Sequence, residues 1–355
     1  MTPTRTEPPQ NSQRSKWMKV LRIVGAVAAL GLLAGVIYYI GPAAIAHQLL
    51  AAGPGFVWII VLHALGIAIA ALPWHVLLPR DARPPLLQSI ASRFVAAGAN
   101  AVTPVVSFAG DLVRLFWLPH KSDRPHGVAA IVVDRLTYGA ANAVWVLAGA
   151  IALVHVGLPP QYTRMTLIGV AVIVGLVGVG AVLASRYRLV GRIHHMISRI
   201  RRKERDHQFG DDVDASVEHM LRRQPRALAL ACLFNMLYRV AMSAQIVVAF
   251  HLLGVDLAWD QALVFSALPI VMALAAFVVP SQIGVQEGAQ ALLADSFGIP
   301  SAIAVAVVLL LRIRSLIGGG FVALLIATKK STLKDRQAEE PVVSEVSSKL
   351  PVPSP

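Results

Sequence analysis

Apolar residues along this chain run in long blocks instead of alternating or recurring on one helical face. The blocks fall at 20–40, 56–78, 86–118, 128–154, 165–184, 227–253, 263–297 and 302–327. Each reaches the ~20 residues that carry a helix across a bilayer core. Lipid cannot satisfy a free backbone N–H or C=O, so such blocks fold as helices. The alternating pattern of an outer-membrane barrel is absent. The pattern predicts an all-α, polytopic integral membrane protein.

Two blocks do not fit a single crossing. Block 86–118 is interrupted by Asn100, Thr103 and Pro104, and block 263–297 by Pro280, Ser281 and Gly284. Proline removes a helical donor and disfavours helix in the residue before it. Both blocks therefore read as broken hairpins that enter and leave on the same side, which needs protein or a cavity around the irregular backbone. The result is six full spans plus two re-entrant hairpins of opposite orientation, the topology an inverted repeat produces in transporters. A plain bundle of about eight spans is the rival arrangement.

Charge sets the orientation. Arg14, Lys16 and Lys19 precede the first block, Arg80 and Arg83 follow the second, and Lys329 and Lys330 follow the last. The stretch 41–55 has no Lys or Arg, and the loop after 253 carries Asp256 and Asp260. Basic loops stay cytoplasmic, so both termini read as inside. Residues 1–19 form a basic cytoplasmic tail and 20–328 one transmembrane domain. Loop 185–226 is a basic, partly helical cytoplasmic excursion, and 329–355 has the composition of a disordered cytoplasmic tail. The first block is long for a cleaved signal peptide and reads as a retained span.

Composition agrees: 56% of residues are hydrophobic and 14% charged, against roughly 25% charged in soluble domains. The net charge of +13 points to anionic lipid headgroups at the basic loops and not to nucleic acid. The single cysteine, Cys232, excludes an intramolecular disulfide framework and a cysteine-rich metal site. The histidines lack metal-ligand spacing, and no cofactor is expected. Trp17, Trp58, Trp74, Trp117 and Trp259 lie near span ends, where an aromatic belt belongs.

The candidate chemistry lies in polar residues inside the apolar blocks. An ionisable group at the bilayer centre costs ~2.5–3.5 kcal/mol on insertion scales, so each needs a partner or a wet cavity. One set is Arg93, Asn100, Pro104, Asp111 and Arg114, with Asp111 and Arg114 on one helical face. A second is Asp134, Arg135, Tyr138 and Asn142, the last three sharing a face. A third is Asn235, Arg239 and Ser243, with Arg239 deep in its span. In the fourth, Gln282, Gln286 and Gln290 repeat every four residues beside Glu287, while Gly284 and Gly288 permit close helix approach. A helix beginning after Pro280 would aim its positive N-terminus at the cavity. Glu287 has Arg239, Arg312 and Arg314 as alternative partners. Arg312 and Arg314 are two apart, which predicts different faces.

These residues carry a resemblance. The order Asn100…Pro104…Gly110-Asp111…Arg114, then Asp134-Arg135, then Pro280…Gly284-Val285-Gln286-Glu287-Gly288, then Leu311-Arg312 resembles the membrane region of lysylphosphatidylglycerol synthases. The related stand-alone flippase-like proteins are similar too, above all the hopanoid-biosynthesis-associated branch. The likeness covers about residues 20–328. It departs at Ala109-Gly110-Asp111, where the family has Gly-Gly-Asp, and at Pro280-Ser281-Gln282-Ile283-Gly284, where it has Pro-Gly-Gly-Leu-Gly.

In the bifunctional synthases a soluble domain aminoacylates the lipid and the membrane region moves it. Here the longest loop is 185–226 and the tail is short, so the resemblance implies the translocating half alone. The expected protein is a non-enzyme of the bacterial cytoplasmic membrane that translocates a phospholipid, aminoacyl-phospholipid or hopanoid. Its expected substrate-contacting residues are Asn100, Pro104, Asp111, Arg114, Arg135, Arg239, Gln286, Glu287 and Arg312. No Gly-x4-Gly-Lys-Ser/Thr phosphate loop is present, so ATP is not the expected drive. Two rival functions remain. One is a non-transporting subunit that scaffolds a lipid-synthesis or envelope complex through a protein partner. The other is a membrane-embedded lipid enzyme using Asp111, Asp134 and Glu287.

Overall fold

The computed structural model describes residues 43, 50–102, 109–120, 123–156, 164, 167–169, 171–172, 174–176, 178–179, 207–275, 285–315 and 317–318. Its regular elements are helices: α1 (Phe56–Ile69), α2 (Leu72–Leu77), α3 (Leu86–Val102), α4 (Ala109–Val113), α5 (Arg124–Val156), α6 (His207–Arg223), α7 (Pro225–Leu252), α8 (Trp259–Ala275) and α9 (Val285–Ser296). A further helix, α10, covers 301–315. The all-α polytopic membrane fold is thus observed. Leu50–Leu77, α5 and α7 are each long and apolar enough to cross a membrane. The expected spans at 20–40 and 165–184 lie outside the described residues, wholly for the first apart from its neighbourhood and largely for the second.

Local sequence explains where the helices stop. Pro73 cannot donate to the carbonyl four residues back, so α1 ends at Ile69 and the chain turns at Ala70 and Ala71 before α2. Arg83 closes the far end, its Nη2 donating to the carbonyls of Val76 (3.1 Å) and Leu78 (2.9 Å), where a cation suits the negative helix terminus. Two helices end in Schellman caps, with Gly254 (φ +82°) and Gly298 (φ +69°) supplying the left-handed residue. Val255 N donates to Phe250 O and Ile299 N to Ala294 O, both at 3.0 Å or less.

Two apolar clusters occupy opposite ends of the bundle. One joins Phe56, Ile59, Leu153, Phe250, Phe265, Leu293 and Leu310. The other joins Trp74, Leu77, Ala130, Val133, Val213, Val217, Met220 and Ala231. Between them, α5 and α7 carry their polar residues. Large apolar side chains point outward along the same helices: Val57, Val61 and Leu65 on α1, Val144, Leu147, Ile151 and Val154 on α5, and Leu230, Leu233, Leu237 and Val240 on α7. Water would make such stripes an aggregation liability, whereas lipid is their natural solvent. Helix α6, from the long basic loop, is amphipathic: Val213, Val217 and Met220 are buried against the second cluster, while Asp211, Asp212 and His219 are exposed. That charged face places this end of the bundle in water.

The tryptophans divide. Trp58 and Trp259 are about two-thirds exposed, as a belt requires. Trp74 is not a belt residue. It is fully buried, and its Nε1 donates to Gly127 O at 3.2 Å, because α2 packs inward against α5. Gly288 also departs from expectation. It is exposed, and among the described residues a Cβ there would meet nothing within 4 Å. A tight contact against a short, rigid side chain is at Gly149 of α5, where a Cβ would lie 2.5 Å from Ala267 Cβ on α8.

Both over-long blocks reverse direction. Arg93 of α3 and Asp111 of α4 are 18 residues apart, which would separate them by ~27 Å along one helix, yet their side chains meet at 2.9 Å. Gln290 of α9 and Phe265 of α8 are 25 residues apart, and Gln290 Nε2 donates to Phe265 O at 3.1 Å. The second contact has a further cause. Pro269 sits inside α8 and lacks the N–H that would bond Phe265 O, so the Gln290 amide replaces the missing donor.

Candidate functional site

The charged residues of the first two sets form one buried knot. Asp111 pairs with Arg93 (2.9 Å), with Arg114 (3.0 Å) and, through its other oxygen, with Arg135. Arg114 reaches on to Asp134 at 3.2 Å. Asn235 of α7 donates to Asp134 Oδ1 (3.3 Å) and to Thr137 Oγ1 (3.0 Å). The Arg114 guanidinium also lies 6.0 Å from the Trp74 ring centroid. Asp111 and Arg114 are each 1% exposed. Three guanidinium groups against two carboxylates leave the knot one positive charge in excess. It ties the first hairpin to α5 and α7.

Arg135 faces the other way as well, into a cavity of about 710 Å³. Helices α5, α7, α8, α9 and α10 line it. Arg239, midway along the 28-residue α7, is ~20 Å from either end, so the cavity lies at mid-depth of the bundle. Four arginines reach this space: Arg135, Arg239, Arg312 and Arg314. Arg312 and Arg314 both line it despite their spacing, because long arginine stems reach around α10 to a common space.

Each arginine is held differently. Arg135 shares Asp111, and Arg312 pairs with Glu287 at 2.7 Å. Arg239 donates to the Tyr138 hydroxyl and lies over two rings, 4.6 Å from the Tyr138 centroid and 5.4 Å from that of Tyr238. Among the described residues neither Arg239 nor Arg314 has a carboxylate partner. The buried Arg239 Nε, Arg314 Nε and Asn142 Oδ1 also lack a hydrogen-bond partner among the described residues. Buried polar atoms of this kind ordinarily find a partner. The α9 N-terminus opens at the cavity: Gln286 lines it, and Glu287 sits in the first turn, where the helix dipole favours a carboxylate.

The sequence matches the description "Lysylphosphatidylglycerol synthase TM region" over residues 22–323. The chain belongs to that family. It is therefore a membrane-embedded, multi-pass protein connected with membrane lipid. The match is to the family at large and does not single out the hopanoid-associated branch. No curated protein and no solved structure gives a significant match.

Within this family member, the residues singled out from the sequence fall into two groups. Arg135, Arg239, Gln286 and Arg312 line the cavity, with Glu287 directly behind Arg312. Asp111 and Arg114 lie in the knot behind Arg135. Asn100 falls in α3 with its side chain outside the described residues, and Pro104 is itself outside them. Sequence reasoning missed Tyr238. It lies one residue from Arg239, off the Asn235–Arg239–Ser243 stripe, and a tyrosine in an apolar run carries no signal of its own. Arg314 was visible as a buried cation but not as a cavity residue.

Proposed function

We propose that the protein translocates a membrane lipid by lodging its headgroup in the arginine-lined cavity while the tails stay in the bilayer. One observation carries this reading: four guanidinium groups converge on one cavity midway through a bundle whose outer surface is apolar. Cations at that depth are costly, and a structural role is evident for only some of them. Asp111 compensates Arg135, and Glu287 compensates Arg312. Arg239 and Arg314 are best explained by a visiting headgroup.

The chain's own residues supply the steps. Tyr138 and Tyr238 hold the Arg239 guanidinium in place, so little ordering cost remains when an anionic oxygen arrives. The knot at Asp111 fixes Arg135, and the Gln290–Phe265 bond fixes the hairpin whose α9 N-terminus faces the cavity. The protein acts in the cytoplasmic membrane with both termini inside, as the basic loops favour, and performs no bond-making chemistry. A non-transporting scaffold would not need buried arginines that, among the described residues, have no carboxylate partner.

The test is leaflet exchange. Purified protein is reconstituted into vesicles with tail-labelled phospholipid, aminoacyl-phospholipid or hopanoid, and a membrane-impermeant quencher reports the outer leaflet. Exchange should exceed that of empty vesicles for at least one of these lipids and should fall at least tenfold in Arg239→Gln. Exchange equal to empty vesicles for all of them refutes the proposal.

A further inference from the structure

We infer that Asn142 and Ser243 select the lipid by reading the part of its headgroup beyond the phosphate, and that this part bears O–H or N–H donors. The inference rests on the proposed headgroup site and adds which residues tell one lipid from another. Its basis is the register of α5 and α7, which run side by side in the same direction. Val133 and Ala231 share one apolar cluster, and Leu153 and Phe250 share the other. Between the clusters Asn235 bonds Thr137, and Arg239 bonds Tyr138. One helical turn further along each helix, Asn142 comes level with Ser243, and both line the cavity. The two lie ~6 Å further than Tyr138 and Arg239 from the end where both helices begin.

The α5–α7 wall therefore has two steps of different chemistry. The first presents Arg135 and Arg239 beside the Tyr138 ring. A guanidinium only donates, so this step matches phosphate oxygens and cannot accept a hydrogen from a hydroxyl or an amine. The second step can, because a carboxamide and a hydroxyl each accept as well as donate. Ser266 of α8 also lines the space, but its hydroxyl is engaged. It accepts the Trp145 N–H at 2.9 Å and donates to Leu263 O at 3.0 Å. Ser266 thus holds the wall, while Asn142 and Ser243 meet the ligand.

The spacing suits one molecule across both steps. A group esterified to a phosphate seated on Arg239 has to span one helical turn to reach Asn142, the length of a short alcohol such as glycerol or ethanolamine. Asn142 Oδ1 is buried, so whatever meets it does so away from bulk water. A headgroup ending in O–H or N–H gives this oxygen a donor. One ending in methyl groups presses them against it and leaves the hydrogen bond unmade, which is costly at a buried acceptor. The wall thus discriminates by hydrogen-bonding capacity, whatever the net charge of the lipid.

The experiment removes donors at constant charge, on one set of tails. Phosphatidylethanolamine is compared with phosphatidylcholine, and phosphatidylglycerol with its di-O-methyl ether. Detergent-solubilised protein is titrated with each lipid and binding is read by native mass spectrometry, while leaflet exchange is timed in vesicles. The donor-bearing member should lead its pair by about tenfold in binding, as one buried hydrogen bond supplies. Asn142→Leu and Ser243→Ala should each shrink that lead severalfold by weakening the donor-bearing member alone. Leucine is no smaller than asparagine, so exclusion by size would survive Asn142→Leu. Equal binding within either pair overturns the inference, even where exchange is fast and transport stands. A lead that survives both variants moves the reading to Gln286 or Ser315 on the opposite wall and overturns the assignment. Selective binding with no exchange sinks transport and leaves the inference intact. The ranking within pairs uses the unaltered protein, so it holds whether or not the variants fold.

Discussion

The pairing of Pro269 with Gln290 makes a quantitative prediction. Pro269 deprives Phe265 O of its helical donor, and Gln290 Nε2 supplies a replacement at 3.1 Å across the second hairpin. In Gln290→Leu the carbonyl is left buried without a donor, at a cost of about 1–3 kcal/mol. Gln290 Oε1 is itself buried and has no partner among the described residues, so leucine also relieves that burden and the net loss in the single variant is smaller. Pro269→Ala restores a backbone N–H to bond Phe265 O, which makes the glutamine redundant. The relief at Oε1 is common to both backgrounds and cancels from a double-mutant cycle. The coupling energy between the two substitutions should therefore be about 1–3 kcal/mol, with Gln290→Leu better tolerated beside Pro269→Ala. Reversible unfolding of the four proteins in mixed micelles measures it. A coupling below about 0.5 kcal/mol, the ordinary error of additivity, would show that the glutamine does not stand in for the missing donor.

Other expectations follow from the same contacts. Asp111→Asn removes the carboxylate shared by three arginines and should cost about 3–5 kcal/mol, as for other broken buried pairs. A thermal midpoint in detergent equal to the parent's would refute the structural role of the knot. Gly149→Ala places a methyl 2.5 Å from Ala267 Cβ and should cost about 1–3 kcal/mol through overpacking. Adding Ala267→Gly moves the methyl to the other helix and should recover most of that loss in the same unfolding assay. With Cys232→Ala as background, Thr103→Cys tests the first hairpin. A membrane-impermeant maleimide should label it in inverted vesicles and not in intact cells, and labelling from the outside would favour a spanning segment.

Much of the site's membership was legible in the chain. Arg239 announces itself as a cation far inside an apolar block, and the stripe of Arg135, Tyr138 and Asn142 needs only helical periodicity to share a face. All three line the cavity with Arg239. The proline breaks likewise marked both over-long blocks as discontinuous, and the Arg93–Asp111 and Gln290–Phe265 contacts show that each folds back. Partner choice was far less legible. Glu287 had three arginines open to it, and only helix packing brings Arg312 to 2.7 Å. Trp74 was misplaced for a related reason. A tryptophan near a span end looks alike whether its helix face turns to lipid or to α5, and burial against Gly127 depends on rotation of α2 about its axis.

By itself, then, the sequence determined membrane residence, helical secondary structure and the inventory of ions that the interior must accommodate. Those follow from transfer energies and backbone hydrogen bonding, which are local and additive along the chain. The tertiary structure alone decided which arginines meet a carboxylate among the described residues and which meet only tyrosines and the cavity. Arg114 meets Asp134 and Arg239 meets Tyr138 across 20 and 101 residues of chain. Coulombic and hydrogen-bond energies depend on distances of a few ångströms, and only the packing of distant helices sets those distances.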